Sequence, residues 1–196
     1  SNKAVQCRSG CLVLKNQNMN KRLIYVFIYF CSFSWALLQG QDPDQLSKKE
    51  QKFANEIFEG EPDAELLLIP ERDSANGGLY KKGDRLFLLK RQNINLGYLL
   101  TTKALGRYEY FDYMVAYAPD LSVMGLKILY YRSSHGAAIC QKAWLGQFEG
   151  YSGQKLTLGK DIDAIAGATI SARSMVKDMI RCYQLMFSMK EEGIIQ

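Results

Sequence analysis

The chain has 196 residues, 47% of them hydrophobic, which is enough apolar sequence for one domain with a substantial core. Its formal net charge of +5 comes from residues 1–40, which hold five basic residues and no acid, whereas residues 41–196 balance 20 basic against 20 acidic side chains. A neutral body lacks the basic surface that a nucleic-acid backbone requires, so no nucleic-acid partner is expected.

The basic N-terminal part has the pattern of an export signal. Lys21 and Arg22 precede an almost unbroken apolar run at 23–38. We therefore predict an upstream, non-native segment at 1–18 and a signal peptide at 19–40. Two alternatives stay open: a buried core helix, and an uncleaved N-terminal anchor, although the run is shorter than the roughly 20 apolar residues of a membrane span.

Residues 41–63 are predicted to be a linker and an N-terminal helix, with Ser47 and Glu50 spaced as a capping box near its start. Between 64 and 134, short aliphatic and aromatic runs are separated by turn-forming residues, which indicates an antiparallel sheet of about five strands. Strict alternation in 111–117 places successive side chains on opposite faces of that sheet.

A helix or helical turn is predicted from about Ala137 to Phe148, ended by Gly150. The stretch DIDAIAGATISARSM at 161–175 leads into the last helix, whose methionine-rich stripe is typical of core packing, with Arg181 expected on a polar face. These elements predict an α+β fold, a twisted antiparallel sheet with flanking helices on one side of it.

Cysteine and histidine are scarce after the leader. Cys140 and Cys182 either pair in an oxidising compartment or remain separate thiols, and the sequence leaves both possibilities open. With one histidine and no CxxC or HExxH pattern, no zinc or haem site is expected.

The start of the last helix is the most informative part of the sequence. Thr169 falls where an N-cap residue belongs, and Gly167 and Ala168 remove side-chain bulk before it. Helix amides and the helix dipole attract negative charge at such a point, so the pattern predicts an anion or phosphate site with a hydroxyl at its centre. From the pattern alone, a threonine that only caps the helix is the alternative.

Residues 163–171, DAIAGATIS, resemble the D-x-x-S-G-A-T-x-T/S signature of the FMN-binding domain family, which includes the flavin-carrying extracytoplasmic subunits of the Rnf complex and of the sodium-pumping NADH:quinone reductase. The resemblance implies an FMN-binding-domain-like fold over 64–190. It also implies FMN joined through its phosphate to Thr169 by a flavin transferase, which takes the FMN moiety from FAD with the help of magnesium. Ala166 departs from the usual serine, and Ser171 stands where threonine is frequent.

The resemblance assigns further site residues. Asp163 takes a recognition role, and four residues line the phosphate and ribityl chain: Gly167, Ala168, Ile170 and Ser171. The loop with His135 and Gly136 falls where the glycine-containing loop of the family approaches the flavin. Trp144 and Tyr131 are candidates for stacking on the ring, with core packing as the alternative for Trp144, an exposed loop position as that for His135, and Ser171 as a second attachment point.

The implied function is that of an exported electron-transfer flavoprotein, in the periplasm or on the outer face of the cytoplasmic membrane. Its partners would be the transferase and redox proteins, some of them membrane-bound, and no catalytic residue is expected because the flavin carries the redox chemistry. Two alternatives remain: a flavin-dependent reductase subunit that acts on a small acceptor, and a non-redox exported binding module in which Thr169 only caps a helix.

Overall fold

A computed structural model describes the backbone of residues 4–6 and 12–14 and, with side chains, residues 44–70 and 78–196. The chain divides into two compact units, residues 1–42 and 43–196. In the first unit, β1 (Ala4–Gln6) pairs antiparallel with β2 (Leu12–Leu14). The predicted signal peptide at 19–40 lies outside the described residues and stays a prediction.

The second unit is an α+β domain, as predicted. Its strands pair with their neighbours in chain order to give one five-stranded antiparallel sheet: β3 (Asp63–Leu67), β4 (Arg85–Arg91), β5 (Ile94–Leu105), β6 (Tyr110–Tyr117) and β7 (Val123–Tyr130). Its helices are α1 (Lys48–Ile57), α2 (Lys142–Leu145) and α3 (Thr169–Glu191). Within the described ranges, no helix combines the length and hydropathy needed to cross a membrane.

The N-terminus of α1 is held by the predicted capping box. The Ser47 hydroxyl accepts from the Glu50 amide at 3.4 Å, and the Glu50 carboxylate accepts from the Ser47 amide at 2.7 Å. Glu50 also accepts hydrogen bonds from Arg85 and Thr101, so it joins α1 to β4 and β5. Burial alone would raise the pKa of Glu50, but its hydrogen bonds with Arg85 and Ser47 lower it below the usual value.

The sheet has an apolar cluster on each face. Alternate residues of β6 face α3 on one side, including Tyr113 and Val115, whereas Met114 and Ala116 face α1 on the other. The prediction that the helices lie on one side is therefore wrong. Both faces are covered because both alternating sets of strand residues are apolar.

The segment from Ala137 to Phe148, predicted as a helix or helical turn, consists of three short helical pieces. A 3₁₀ turn at Ala137–Cys140 is followed by α2 and by a second 3₁₀ turn at Gly146–Phe148. The break lies at Gln141, whose backbone is extended (φ −67°, ψ 129°). Gly150 ends the segment as predicted, with a left-handed φ of 78°.

A buried charged network fixes the middle of α3 against the sheet. Arg181, expected on a polar face, is only 13% exposed and donates to Asp84 Oδ2 at 2.9 Å and to Asp178 Oδ1 at 2.7 Å. It also donates to Thr102 Oγ1 at 2.8 Å, and the Tyr113 hydroxyl donates to Asp178 Oδ2 at 2.8 Å. These contacts tie α3 to β5, β6 and the residue before β4.

Ionisation in this network follows from burial and pairing. Burial alone would raise the pKa of Asp178, but hydrogen bonds and ion pairs with Arg181 and Lys81 lower it below its usual value. Burial raises the pKa of the Cys182 thiol to about 12. Cys182 is buried and Cys140 is exposed, and both thiols are free.

Candidate functional site

The first turn of α3 differs from the sequence prediction. Ala168 is the N-cap residue and Thr169 is the first helical residue, and no side chain caps the helix. A capping hydroxyl accepts from an amide of the first turn, whereas Thr169 Oγ1 donates backwards to the Ile165 carbonyl at 3.4 Å. The interpretation of Thr169 as a helix cap is therefore wrong.

The uncapped start leaves backbone donors at this end of α3. The first backbone hydrogen bond of the helix runs from the Ala172 amide to the Ala168 carbonyl at 2.9 Å. The amides of Thr169, Ile170 and Ser171 therefore precede the first intrahelical donor, as at every helix start, and no capping side chain reaches them. Together with the helix dipole, such amides attract an anion.

A pocket of about 190 Å³ opens at this helix start. Its lining comes from three parts of the chain and contains no acidic residue: Arg107, His135, Gly136, Gly167, Ala168, Thr169, Ile170 and Ser171. The structure thus brings together seven of the ten site residues that the sequence analysis named. The other three, Asp163, Trp144 and Tyr131, lie outside the lining.

Tyr131 fastens the His135 loop to α3. Its hydroxyl donates to the His135 carbonyl at 2.7 Å and lies 2.9 Å from Ser171 Oγ. A tyrosine hydroxyl has one hydrogen, so Ser171 is the donor in the second contact. The Tyr131 ring packs on Phe111 at 5.6 Å between centroids, so this predicted stacking candidate contacts the core through its ring.

Gly136 allows that close approach. Its φ is +84°, a left-handed conformation that favours glycine, and an added Cβ would lie 2.6 Å from the Tyr131 hydroxyl oxygen and 3.0 Å from Ser171 Oγ. A side chain at this position would have to displace the Tyr131 hydroxyl or the loop itself. The loop wall of the pocket therefore depends on a glycine at 136.

The two hydroxyls of the motif have different surroundings. Ser171 is 2% exposed, and its hydrogen is used in the bond to Tyr131. Thr169 is exposed on the pocket wall, and its contact with Ile165 is long. Thr169 is the hydroxyl that an incoming phosphorus atom can reach.

Arg107 is the lining residue that the sequence analysis missed. It lies in the turn between β5 and β6, which is closed by a 2.9 Å hydrogen bond from the Gly106 amide to the Glu109 carbonyl. A Cβ on Gly106 would lie 3.4 Å from Ser171 Oγ, so this turn packs directly against the start of α3. The only sequence signal was an arginine after a glycine in a turn, which does not indicate what the turn contacts.

Asp163 and Trp144 are joined by a hydrogen bond. The Trp144 indole N–H donates to the Asp163 carbonyl at 2.8 Å, and the Asp163 amide donates to Gln147 Oε1 at 2.8 Å. Trp144 is 4% exposed and packs edge-on against Phe148 at 5.3 Å, so core packing, the alternative left open by the sequence, describes it. The Asp163 side chain is exposed, and its backbone holds the segment that leads to the pocket.

The described residues of the pocket contain no cluster of metal ligands. Among residues 44–70 and 78–196, no group of three or more His, Cys, Asp or Glu side chains is placed to hold an ion. His135 is the one imidazole in the lining, and its Nδ1 lies 3.0 Å from Ser134 Oγ. The chemistry that the lining offers is anion attraction beside an exposed hydroxyl.

Comparisons with known proteins found a distant similarity to solved structures. No protein-family model matches the chain, and no curated protein sequence matches it. Among solved structures, the crystal structure of Shewanella oneidensis NqrC is similar at 17% identity, over 65% of this chain and 70% of that chain, with a TM-score of 0.45. At that level the similarity carries no argument about function.

Proposed function

We propose that the chain is an electron-transfer flavoprotein whose FMN is joined through its phosphate to Thr169. One observation carries the proposal: the exposed Thr169 hydroxyl lies at an uncapped helix start, in a pocket with no acidic lining residue. The geometry supports a phosphate ester, and the resemblance of residues 163–171 to the FMN-binding signature supplies the identity of the group.

The pocket fits the phosphate end of FMN better than a whole flavin. Its volume of about 190 Å³ lies below the roughly 300–1,000 Å³ of typical small-molecule sites. There is room for a phosphate and part of the attached chain, so the ring would lie outside it. Because so small a pocket gives weak retention, a covalent bond to Thr169 would keep the flavin on the protein.

Attachment needs a flavin transferase and FAD as donor. The bond between the flavin-side phosphorus of FAD and the AMP oxygen breaks, and a bond from that phosphorus to Thr169 Oγ1 forms. AMP is the leaving group, the hydroxyl proton is released, and no atom is oxidised or reduced. The protein contributes an exposed hydroxyl and small neighbours, Gly167 and Ala168, beside the reacting phosphorus.

Bound FMN would accept electrons as a pair and pass them on singly, which suits exchange between unlike partners. The protein holds the phosphate end and leaves the ring accessible to redox partners, some of them membrane-bound. We further propose that the segment 19–40 directs export, to the periplasm or the outer membrane face. Outside the cytosol a dissociated flavin would not be replaced, and a covalent bond would prevent its loss.

The test compares hydroxyl variants after coexpression with a flavin transferase, with covalent flavin read as fluorescence that stays with the denatured protein. Thr169→Ala should abolish the signal, and Thr169→Ser, which restores a hydroxyl, should recover part of it. Ser174→Ala is the matched control, because Ser174 lies in the same helix and does not line the pocket. Covalent flavin on Thr169→Ala, with thermal unfolding like that of the parent protein, would refute the assignment.

A further inference from the structure

The pocket contains a cation that neither the sequence motif nor the proposed ester linkage requires. Arg107 reaches the pocket from the β5–β6 turn and shares its lining with Thr169 and the uncapped start of α3. Its guanidinium carbon lies 5.1 Å from the ring centroid of Tyr108. None of the residues that line the pocket with it is acidic.

The backbone at Arg107 is positioned by its turn, and the Arg107 side chain is exposed. Gly106 is buried, donates to the Glu109 carbonyl, and packs close to Ser171 Oγ. The residue that follows Gly106 is therefore held at the side of the pocket by backbone contacts. Guanidinium groups pair with phosphate oxygens through two parallel N–H donors, which gives both attraction and orientation.

We propose that Arg107 is the phosphate-binding residue of this site and selects phosphorylated flavins over flavins without a phosphate. The inference rests on the proposed function, and it adds a residue and a ligand preference. Before attachment Arg107 binds the phosphate end of the flavin nucleotide beside Thr169. After attachment it faces the one negative charge that a phosphodiester keeps.

The first test measures non-covalent binding in a Thr169→Ala background, where no ester can form. Equilibrium dialysis gives the dissociation constants of FMN and of riboflavin, which differ only in the phosphate. Thr169→Ala should bind FMN more tightly than riboflavin, and adding Arg107→Gln should reduce that preference by about tenfold, with riboflavin binding unchanged. Arg107→Lys should retain part of the preference, because it keeps the charge but not the paired donors.

Lys103 provides a charge-matched control. It is an exposed cation on β5, in the same hairpin as Arg107, and it does not line the pocket. Lys103→Gln should leave the preference for FMN over riboflavin unchanged. Added salt should weaken FMN binding in the Thr169→Ala protein much more than riboflavin binding, and this difference should be small when Arg107→Gln is present.

The outcomes separate this inference from the proposed function. If Thr169 becomes flavinylated but Arg107→Gln leaves the preference for FMN intact, the assignment of Arg107 is wrong and the flavoprotein proposal stands. If Arg107→Gln removes the preference but Thr169 is never labelled, Arg107 binds phosphate and the covalent proposal fails. Equal binding of FMN and riboflavin by the Thr169→Ala protein would also overturn the role of Arg107.

Discussion

Two helices of the same domain begin in opposite ways. The N-cap of α1, Ser47, has an extended backbone (φ −65°, ψ 160°), and it exchanges two hydrogen bonds with Glu50. The N-cap of α3, Ala168, has φ −122° and ψ 11° and supplies no capping side chain. One helix start is satisfied by its own residues, whereas the other presents its amides to a pocket.

The difference shows which part of α3 stabilises the fold and which part carries the proposed site. A missing cap costs about 1 kcal/mol of helix stability, so the uncapped start needs support from elsewhere. That support lies two to three turns further along, where Arg181 and Asp178 join the buried network. The middle of α3 anchors the helix, and its start is left available for a ligand.

The largest effect is expected when the buried network of Arg181 in the middle of α3 is broken. Arg181→Met leaves Asp84 and Asp178 buried without their arginine, so the free energy of unfolding should fall by about 3–5 kcal/mol. Urea unfolding at pH 7 measures the change. Lys177→Met, at an exposed position of the same helix, is the matched control and should stay within about 0.5 kcal/mol of the parent. Equal effects of the two substitutions would show that the network is not the anchor.

The next effect depends on pH. Asp178→Asn removes the negative charge that pairs with Arg181 and Lys81. This substitution should lower the free energy of unfolding by about 1.5–3 kcal/mol at pH 7. The folded pKa of Asp178 is lowered, so its stabilising contribution is present above the unfolded pKa of about 3.9 and is lost as the pH falls through the folded pKa. The stability difference between the parent and Asp178→Asn should therefore shrink on acidification below about pH 4. A difference independent of pH would contradict the lowered pKa.

Two glycines at the pocket form a matched pair. Gly136 and Gly167 both have left-handed φ values, +84° and +77°, but a Cβ meets other atoms only at Gly136. Gly136→Ala should destabilise the fold by about 2–3 kcal/mol, from backbone strain and a clash with Tyr131. Gly167→Ala should lower the free energy of unfolding by about 1 kcal/mol, because only backbone strain is added. If both variants unfold at the same urea concentration, the close contact at Gly136 is not a constraint.

The smallest effects are expected from substitutions at the N-terminal ends of α1 and α3, which should change different properties. Ser47→Ala removes the cap of α1 and should lower the free energy of unfolding by about 1 kcal/mol, while covalent flavin on Thr169 is unchanged. Thr169→Ala should abolish covalent flavin, while its free energy of unfolding stays within about 0.5 kcal/mol of that of the parent protein. The comparison fails if Thr169→Ala destabilises the apoprotein as much as Ser47→Ala does.

Much of the fold could be predicted from the sequence, because its signals are local. Alternation along β6 and the Ser47–Glu50 spacing depend on neighbouring residues, and the five-stranded antiparallel sheet and the capping box are both confirmed. The side of the sheet covered by α1 was predicted wrongly, since alternation does not say which helix packs on which face.

The site was predictable only in part, for a similar reason. The stretch around Thr169 is continuous in sequence, but the approach of Arg107 depends on where the β5–β6 turn packs. Arg181 is charged and lies at a helical spacing that suits solvent, yet three partners from distant strands and loops draw it inward. Contacts of this kind come from tertiary structure and leave no local pattern.

The intact mass of the protein, purified from a host that coexpresses a flavin transferase and then denatured, tests the central claim most directly. Peptide mapping across residues 161–173 locates any added group. We predict a gain equal to FMN minus one water, on the peptide that contains Thr169 and on that residue. An unmodified mass, from cells in which a known acceptor protein is labelled, would contradict the covalent flavin site at the start of α3.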